Sequence, residues 1–299
     1  MFNWKSVGLL VATVFAFQTS SAQFNILNAK EVGEIGQRSE AQIEADNDKP
    51  LPYGYVDDRD ILWSAEVWEI IDLNERMNFP LLFPTDTLDV SEYRRSLFDV
   101  LMKNVKNGKL DIYRDSHFVE KITLKDISAS LTKEDMLDAG YDQLNAGEEV
   151  SPEYITRRDI GPADIAQYRI RGIWYFDKRQ GELKYRLLAI APVAPDVNFI
   201  DSDDAAGNQL LELFWVFYPQ AREVLHEAKT FNRKNTAKPM SFDDLLNSRL
   251  FSAVVYKEAN VYGDRPISEY LPDNALFQLL ESDKIEEGIR DKEQDMWAN

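Results

Sequence analysis

The sequence predicts an α+β protein in which helices pack on a largely antiparallel sheet, preceded by an N-terminal signal peptide and an extended arm. Three observations carry this expectation. Tyr93, Leu97, Val100, Leu101 and Val105 fall at i, i+4, i+7, i+8 and i+12, the single apolar stripe of a helix. Tyr168, Ile170, Trp174 and Phe176 share one face of a second segment, alternating with Arg169 and Arg171, while Leu183, Tyr185, Leu187 and Ala189 alternate with Lys184 and Arg186. The short loop Asp177–Glu182 between those two segments makes them a hairpin, hence antiparallel.

Residues 1–22 read as a secretory signal peptide. Lys5 is the one charge near the start, Val7–Phe17 is an unbroken apolar and small run, and small residues lead up to the expected cleavage after Ala22. The run is 11 residues long, short of the roughly 20 that cross a bilayer. No later segment is long and apolar enough to span one, so any membrane link is expected to run through another protein. With no cysteine, a lipoprotein anchor and disulfides are both excluded. Residues 23–60 form the expected arm, polar around Glu44–Pro50 and ending in Leu51-Pro52-Tyr53-Gly54-Tyr55, a composition that reads as disordered or extended.

Order is expected from Ile61. Residues 61–165 read as a helix-rich half and 166–299 as a strand-rich half with C-terminal helices. Trp63, Val67, Ile70, Ile71 and Met77 suggest a helix that stops before Pro80. In the next helix Asp89 and Glu92 resemble a capping box, Lys103 and Lys106 suit its C-terminal end, and Gly108 suits a left-handed cap. A strand follows at Leu110–Tyr113 and a helix at Lys133–Leu144. After the hairpin come a strand at Leu211–Tyr218 ending at Pro219, and a helix at Ala221–Thr230. A short helix at Phe242–Asn247, a strand at Phe251–Lys257 and helices at Ile267–Leu280 and Asp283–Trp297 close the chain. Phe98-Asp99-Val100-Leu101 leading to Ile112-Tyr113 echoes Phe242-Asp243-Asp244-Leu245 leading to Val255-Tyr256. Two related halves and a chance pairing of helix–strand units both account for that echo.

The formal charge of −18 becomes −19 once Lys5 leaves with the signal peptide, which argues against nucleic acid and anionic lipid as partners. The two histidines stand apart: His226-Glu227 opens like a zinc-protease helix but meets Thr230 where the second histidine belongs, and His117 reads as a loop residue. Asp201, Asp203 and Glu212 occupy positions 1, 3 and 12 of a calcium loop, yet Ala205 and Ala206 fill positions 5 and 6, so a solvated acidic loop is the preferred reading over calcium. Asp57-Asp58-Arg59-Asp60 is too compact to name a catalytic pair. No catalytic, cofactor or metal residue is assigned. Aromatic residues exceed what one sheet face needs, and aromatics gather at interface centres. Tyr53, Tyr55, Trp63, Trp68, Trp174 and Trp215 are therefore the candidate partner-interface residues, with full burial inside the fold as the competing reading.

Several long segments resemble the gliding motility-associated protein family GldN, also called PorN. They are Asp58-Arg59-Asp60-Ile61-Leu62-Trp63, the run Val67–Arg76 with Asn78-Phe79-Pro80-Leu81, and Ser96–Leu101 with Ile112-Tyr113. Gly172–Lys178, Ile190-Ala191-Pro192-Val193 and Trp215–Pro219 with Ala221-Arg222-Glu223 continue the likeness, which covers about Leu51 to Leu280. The resemblance implies a non-enzymatic periplasmic component of the type IX secretion and gliding machinery. It implies a ring formed by self-association with a GldK/PorK-type outer-membrane lipoprotein, and communication with a GldM-type inner-membrane motor protein. It implies no cofactor and no direct membrane insertion. The alternative class is a periplasmic or secreted carboxylate-dependent hydrolase or ligand-binding protein.

Overall fold

The computed structural model describes residues 49–86, 94–147, 151–198, 200, 209–232, 240–272 and 274–297. The signal peptide, most of the arm, the Asp89–Glu92 cap and the Asp201–Asp203 end of the acidic loop lie outside the described residues.

The first long element is a strand, β1 (Ile61–Asp72), where the apolar spacing suggested a helix. Trp63, Val67, Ile70 and Ile71 are aromatic and β-branched residues that favour extended backbone. Val67, Trp68 and Glu69 are buried in succession because β1 lies between two strands with both faces covered, and that erases the two-residue alternation by which a strand is read. The following turn is held by Asn78, whose amide donates to the carbonyls of Asp72 and Ser252 and accepts from the Ser252 N–H. Pro80 lies within the first turn of α1 (Phe79–Leu82) rather than beyond a helix end, a position whose missing N–H costs nothing.

Helix α2 (Leu97–Lys106) buries Leu97, Val100, Leu101 and Val105 of its predicted stripe, whose first member, Tyr93, lies outside the described residues. Ser96 caps it by accepting from the Asp99 N–H at 3.2 Å, and Gly108 closes it at φ +69°. Then come β2 (Ile112–Tyr113), β3 (Lys121–Ile122), α3 (Ser128–Leu131), β4 (Thr132–Met136), α4 (Asp138–Asn145) and β5 (Ile155–Asp159). The helix expected from Lys133 thus starts only at Asp138. Pairing with β5 sets Glu134 opposite Arg157 and lets the Thr132 hydroxyl donate to Asp159, and this tertiary contact overrides local helix preference.

The hairpin of β6 (Gln167–Asp177) and β7 (Glu182–Pro195) forms as predicted, with Gly181 at φ +65° in its turn. Its register shifts once. Arg171 faces Ala189 but Gly172 faces Leu187, so Leu188 is an extra residue in β7. The bulge sends Leu187 into the larger core and Ala189 to the opposite face beside Trp68 and Trp215, which corrects the unbroken alternation expected for β7. Gly172 is required here, since a Cβ would lie 2.2 Å from the Tyr185 hydroxyl.

The expected strand at 211–218 is broken into β8 (Leu210–Glu212) and β9 (Trp215–Phe217), with Leu213 and Phe214 buried between them. Helix α5 (Tyr218–Glu227) begins before Pro219 instead of after it. β10 (Lys229–Thr230), β11 (Met240–Ser241), α6 (Phe242–Asn247), β12 (Val254–Glu258), α7 (Ile267–Tyr270) and α8 (Ala275–Trp297) complete the order. The C-terminal helices divide after Leu271, not at residues 281–282, so α8 runs unbroken for 23 residues.

The main sheet runs β12-β1-β6-β7-β9-β2-β3, antiparallel throughout, with β8 also on β7. Strands from both halves of the sequence therefore interleave in one sheet. One face carries Ile71, Tyr168, Ile170, Leu187 and Ile190 beneath α2, α5 and α6. Further along that face Val67 and Val255 meet Ile285 and Ile289 of α8.

A buried polar knot fixes the helices. Asp243 of α6 is 1 % exposed. Its carboxylate accepts from Arg222 Nε and Nη2 at 2.9 Å each, from the Tyr218 hydroxyl at 2.7 Å and from Asn247 at 2.8 Å. Tyr53 joins from the chain before β1: its hydroxyl donates to Asn247 at 2.8 Å and its ring lies 4.1 Å from the Arg222 guanidinium carbon. Asp243→Ala leaves a buried guanidinium without its carboxylate, and the expected loss is about 3–5 kcal/mol in denaturant unfolding. A change below about 1 kcal/mol would show that the knot is dispensable.

Candidate functional site

The six aromatic candidates separate by environment. Trp68 and Trp215 are each 1 % exposed and belong to the protein's own core. The Trp68 indole donates to Ser116 at 3.0 Å, and its ring lies between Lys257 at 4.2 Å and Arg171 at 5.2 Å. Arg171 also pairs with Glu66 at 2.8 Å and donates to the Ser116 carbonyl at 2.7 Å, which draws the 113–118 segment over this face. The Trp215 indole donates to Glu212 at 2.7 Å. Glu212, the last position of the suggested calcium loop, is also paired with Arg169.

Trp63 and Trp174 are half-buried against the Val67–Ile285 cluster, where Trp174 stacks at a tilt on Tyr185 with centroids 5.0 Å apart. Tyr53 is turned inward on the knot, and burial outweighs the nearby Arg222 charge to push its phenol up to about 12. Tyr55 stays 83 % exposed. Of the six, Tyr55 is the aromatic left open to a partner.

A second charged pair lies under α8. Glu69 is 2 % exposed and accepts from Arg249 Nη2 at 2.9 and 3.1 Å. Arg249 holds a left-handed backbone at φ +50°, with its guanidinium carbon 4.3 Å from the Tyr185 ring centre. Burial, more than any other influence, raises the Glu69 carboxyl above its ordinary value, with Arg249 opposing the rise.

His117 is exposed in its loop, its ring centroid 5.8 Å from that of Trp68. His226 is buried on α5, and among the described residues it forms with Asp243 and Asp244 a group whose spacing would admit a cation. The donor set does not fit one: both Asp243 oxygens already accept from Arg222, and a cation would meet that guanidinium.

Besides Tyr55, apolar residues that the sequence reading did not single out are also open to solvent. Leu276, Phe277, Leu279 and Leu280 at the start of α8 are all substantially exposed, as are Leu137 just before α4 and Tyr141 and Leu144 within it. The signal is the apolar cluster Ala275-Leu276-Phe277 and Leu279-Leu280 at the start of α8, interrupted by Gln278. A cleft of about 440 Å³ opens between α2 and α5, with Arg95, Lys103, Lys109 and Lys229 in its walls.

Residues 56–298 match the family described as Gliding motility associated protein GldN. The chain belongs to the GldN family. GldN membership makes it a component of the gliding motility and type IX secretion machinery. A search of curated proteins returns no match. Among the described residues no helix is long and apolar enough to cross a membrane.

Two measurements check this GldN chain's interior. Trp68→Ala removes a fully packed indole and is expected to cost about 3–5 kcal/mol of stability, far more than loss of a surface aromatic. Glu69, whose pKa is higher folded than unfolded, binds its proton more tightly in the fold. Its contribution is therefore fully present below the ordinary value of 4.5 and declines as pH rises through the folded value. The melting temperature of wild type minus that of Glu69→Gln should fall as pH rises through this window, and parallel curves would contradict the raised value.

Proposed function

We propose that the chain is a non-enzymatic structural part of the secretion machinery on the periplasmic side, assembling with copies of itself and a GldK/PorK-type outer-membrane lipoprotein into a ring. In this reading a GldM-type inner-membrane motor protein transmits its motion through that ring. The observation that carries the proposal is the distribution of apolar surface. Aromatic side chains at the centre of the sheet are packed or half-packed within the fold, while Leu276, Phe277, Leu279 and Leu280 stand together on the outside. Grouped exposed apolar residues mark contact with another macromolecule, whereas scattered ones do not. The charged pairs at Asp243 and Glu69 support the same reading, since each is committed to an arginine and to packing.

The test is purification of the tagged protein from detergent-solubilised envelopes, with mass spectrometry of what accompanies it and negative-stain microscopy of the particles. A lipoprotein partner in ring-shaped particles is the expected outcome. A small species free of partners, under conditions that preserve other envelope complexes, would overturn the proposal.

A further inference from the structure

Helix α8 carries two unlike stretches on one face. Leu276, Leu280, Asp283 and Glu287 recur at i, i+4, i+7 and i+11, opposite the buried Ile285 and Ile289. Leu276 is 64 % exposed and Leu280 51 % exposed, and Asp283 and Glu287 are exposed beyond them. A face that is apolar and then acidic, up to the exposed Arg290 on the same stripe, is thus presented outward in addition to the face the fold uses.

The cleft between α2 and α5 has the converse character. Val100, Val224 and Ala228 supply apolar surface, and Arg95, Lys103, Lys109 and Lys229 outnumber the acidic Asp99 and Glu227. This local excess of positive charge occurs in a chain of net charge −18. The helix dipole accounts for Lys103 in the last turn of α2, but Arg95 stands just before the opposite end of that helix. The two surfaces share a face of the sheet but lie toward different edges: α8 packs on β12 at one edge, whereas α2 leads through Gly108 into β2, next to the other edge strand β3.

We propose that the outward face of α8 in one copy docks in the α2–α5 cleft of a second copy, joining chains head to tail. The inference rests on the self-association in the proposed function and names the surfaces that make it. Leu276 and Leu280 meet the apolar surface of the cleft, and Asp283 and Glu287 meet its lysines. Such a contact pairs two different patches, so every copy offers one of each to the next, and the series closes into a ring when the rotation permits. Opposite charge at the rim sets register and speeds encounter.

The experiment is sedimentation velocity of the purified chain over a concentration series, with circular dichroism to verify folding of each variant. Lys103→Glu with Lys109→Glu reverses the cleft, and Asp283→Lys with Glu287→Lys reverses the helix. Wild type should form larger species with concentration, each variant should associate about tenfold more weakly or worse, and an equal mixture of the two should recover assembly. If wild type associates and both variants associate equally well, the docking is overturned while ring formation through other surfaces stands. If only one variant loses association, that surface has another occupant and the pairing is overturned. A wild type that stays monomeric throughout overturns both this contact and the self-association on which it rests, leaving the lipoprotein arm to the envelope purification.

Discussion

The structure is governed by the way its two sheet faces are covered. Helices α2, α5, α6 and α8 bury one face with aliphatic and aromatic side chains. On the other face, Trp68 and Trp215 lie under the 113–118 segment and a layer of long polar side chains. The Lys257 ammonium and the Arg171 guanidinium lie against the Trp68 ring as cation–π partners, and Arg171 is also paired with Glu66. This is why aromatic residues are needed on both sides of β1. A large ring with one polar atom can seal a face that has only a loop above it, provided the N–H finds a partner.

Covering one face with several short helices creates a second demand, because their contacts with one another are small. The Asp243 knot meets it by tying α5 to α6 and, through Asn247 and Tyr53, to the chain that enters β1. The arrangement is costly to break because the charges are out of water, and its directed hydrogen bonds fix one arrangement of the elements. The Glu69–Arg249 pair does similar work beneath α8, linking β1 to the turn before β12. Charged groups that would attract a search for catalysis are thus structural ties.

Apolar side chains left uncovered include groups on α8 and around α4, together with single residues on loops such as Val119 and Val261. Asp243, Tyr218 and Arg222, which hold the helices together, are by contrast buried.

Local chemistry alone was enough to define several elements. The Gly108 and Gly181 turns, the α2 stripe and the β6–β7 hairpin follow from short-range periodicity and φ preference. The α+β class follows from those same patterns, and the family likeness from runs such as Val67–Arg76. Other features were decided only when distant segments met. β1 became a strand because β6 and β12 pair with it on either side, β4 because β5 supplies Arg157 opposite Glu134, and Leu188 became a bulge because β6 fixes the register around Gly172. Which tryptophan is fully buried was equally illegible, since Trp63 and Trp68 lie in the same strand, yet of the two only Trp68 is sealed from water. Periodicity records which residues share a face, whereas the neighbour covering that face is chosen by the packing of the whole chain.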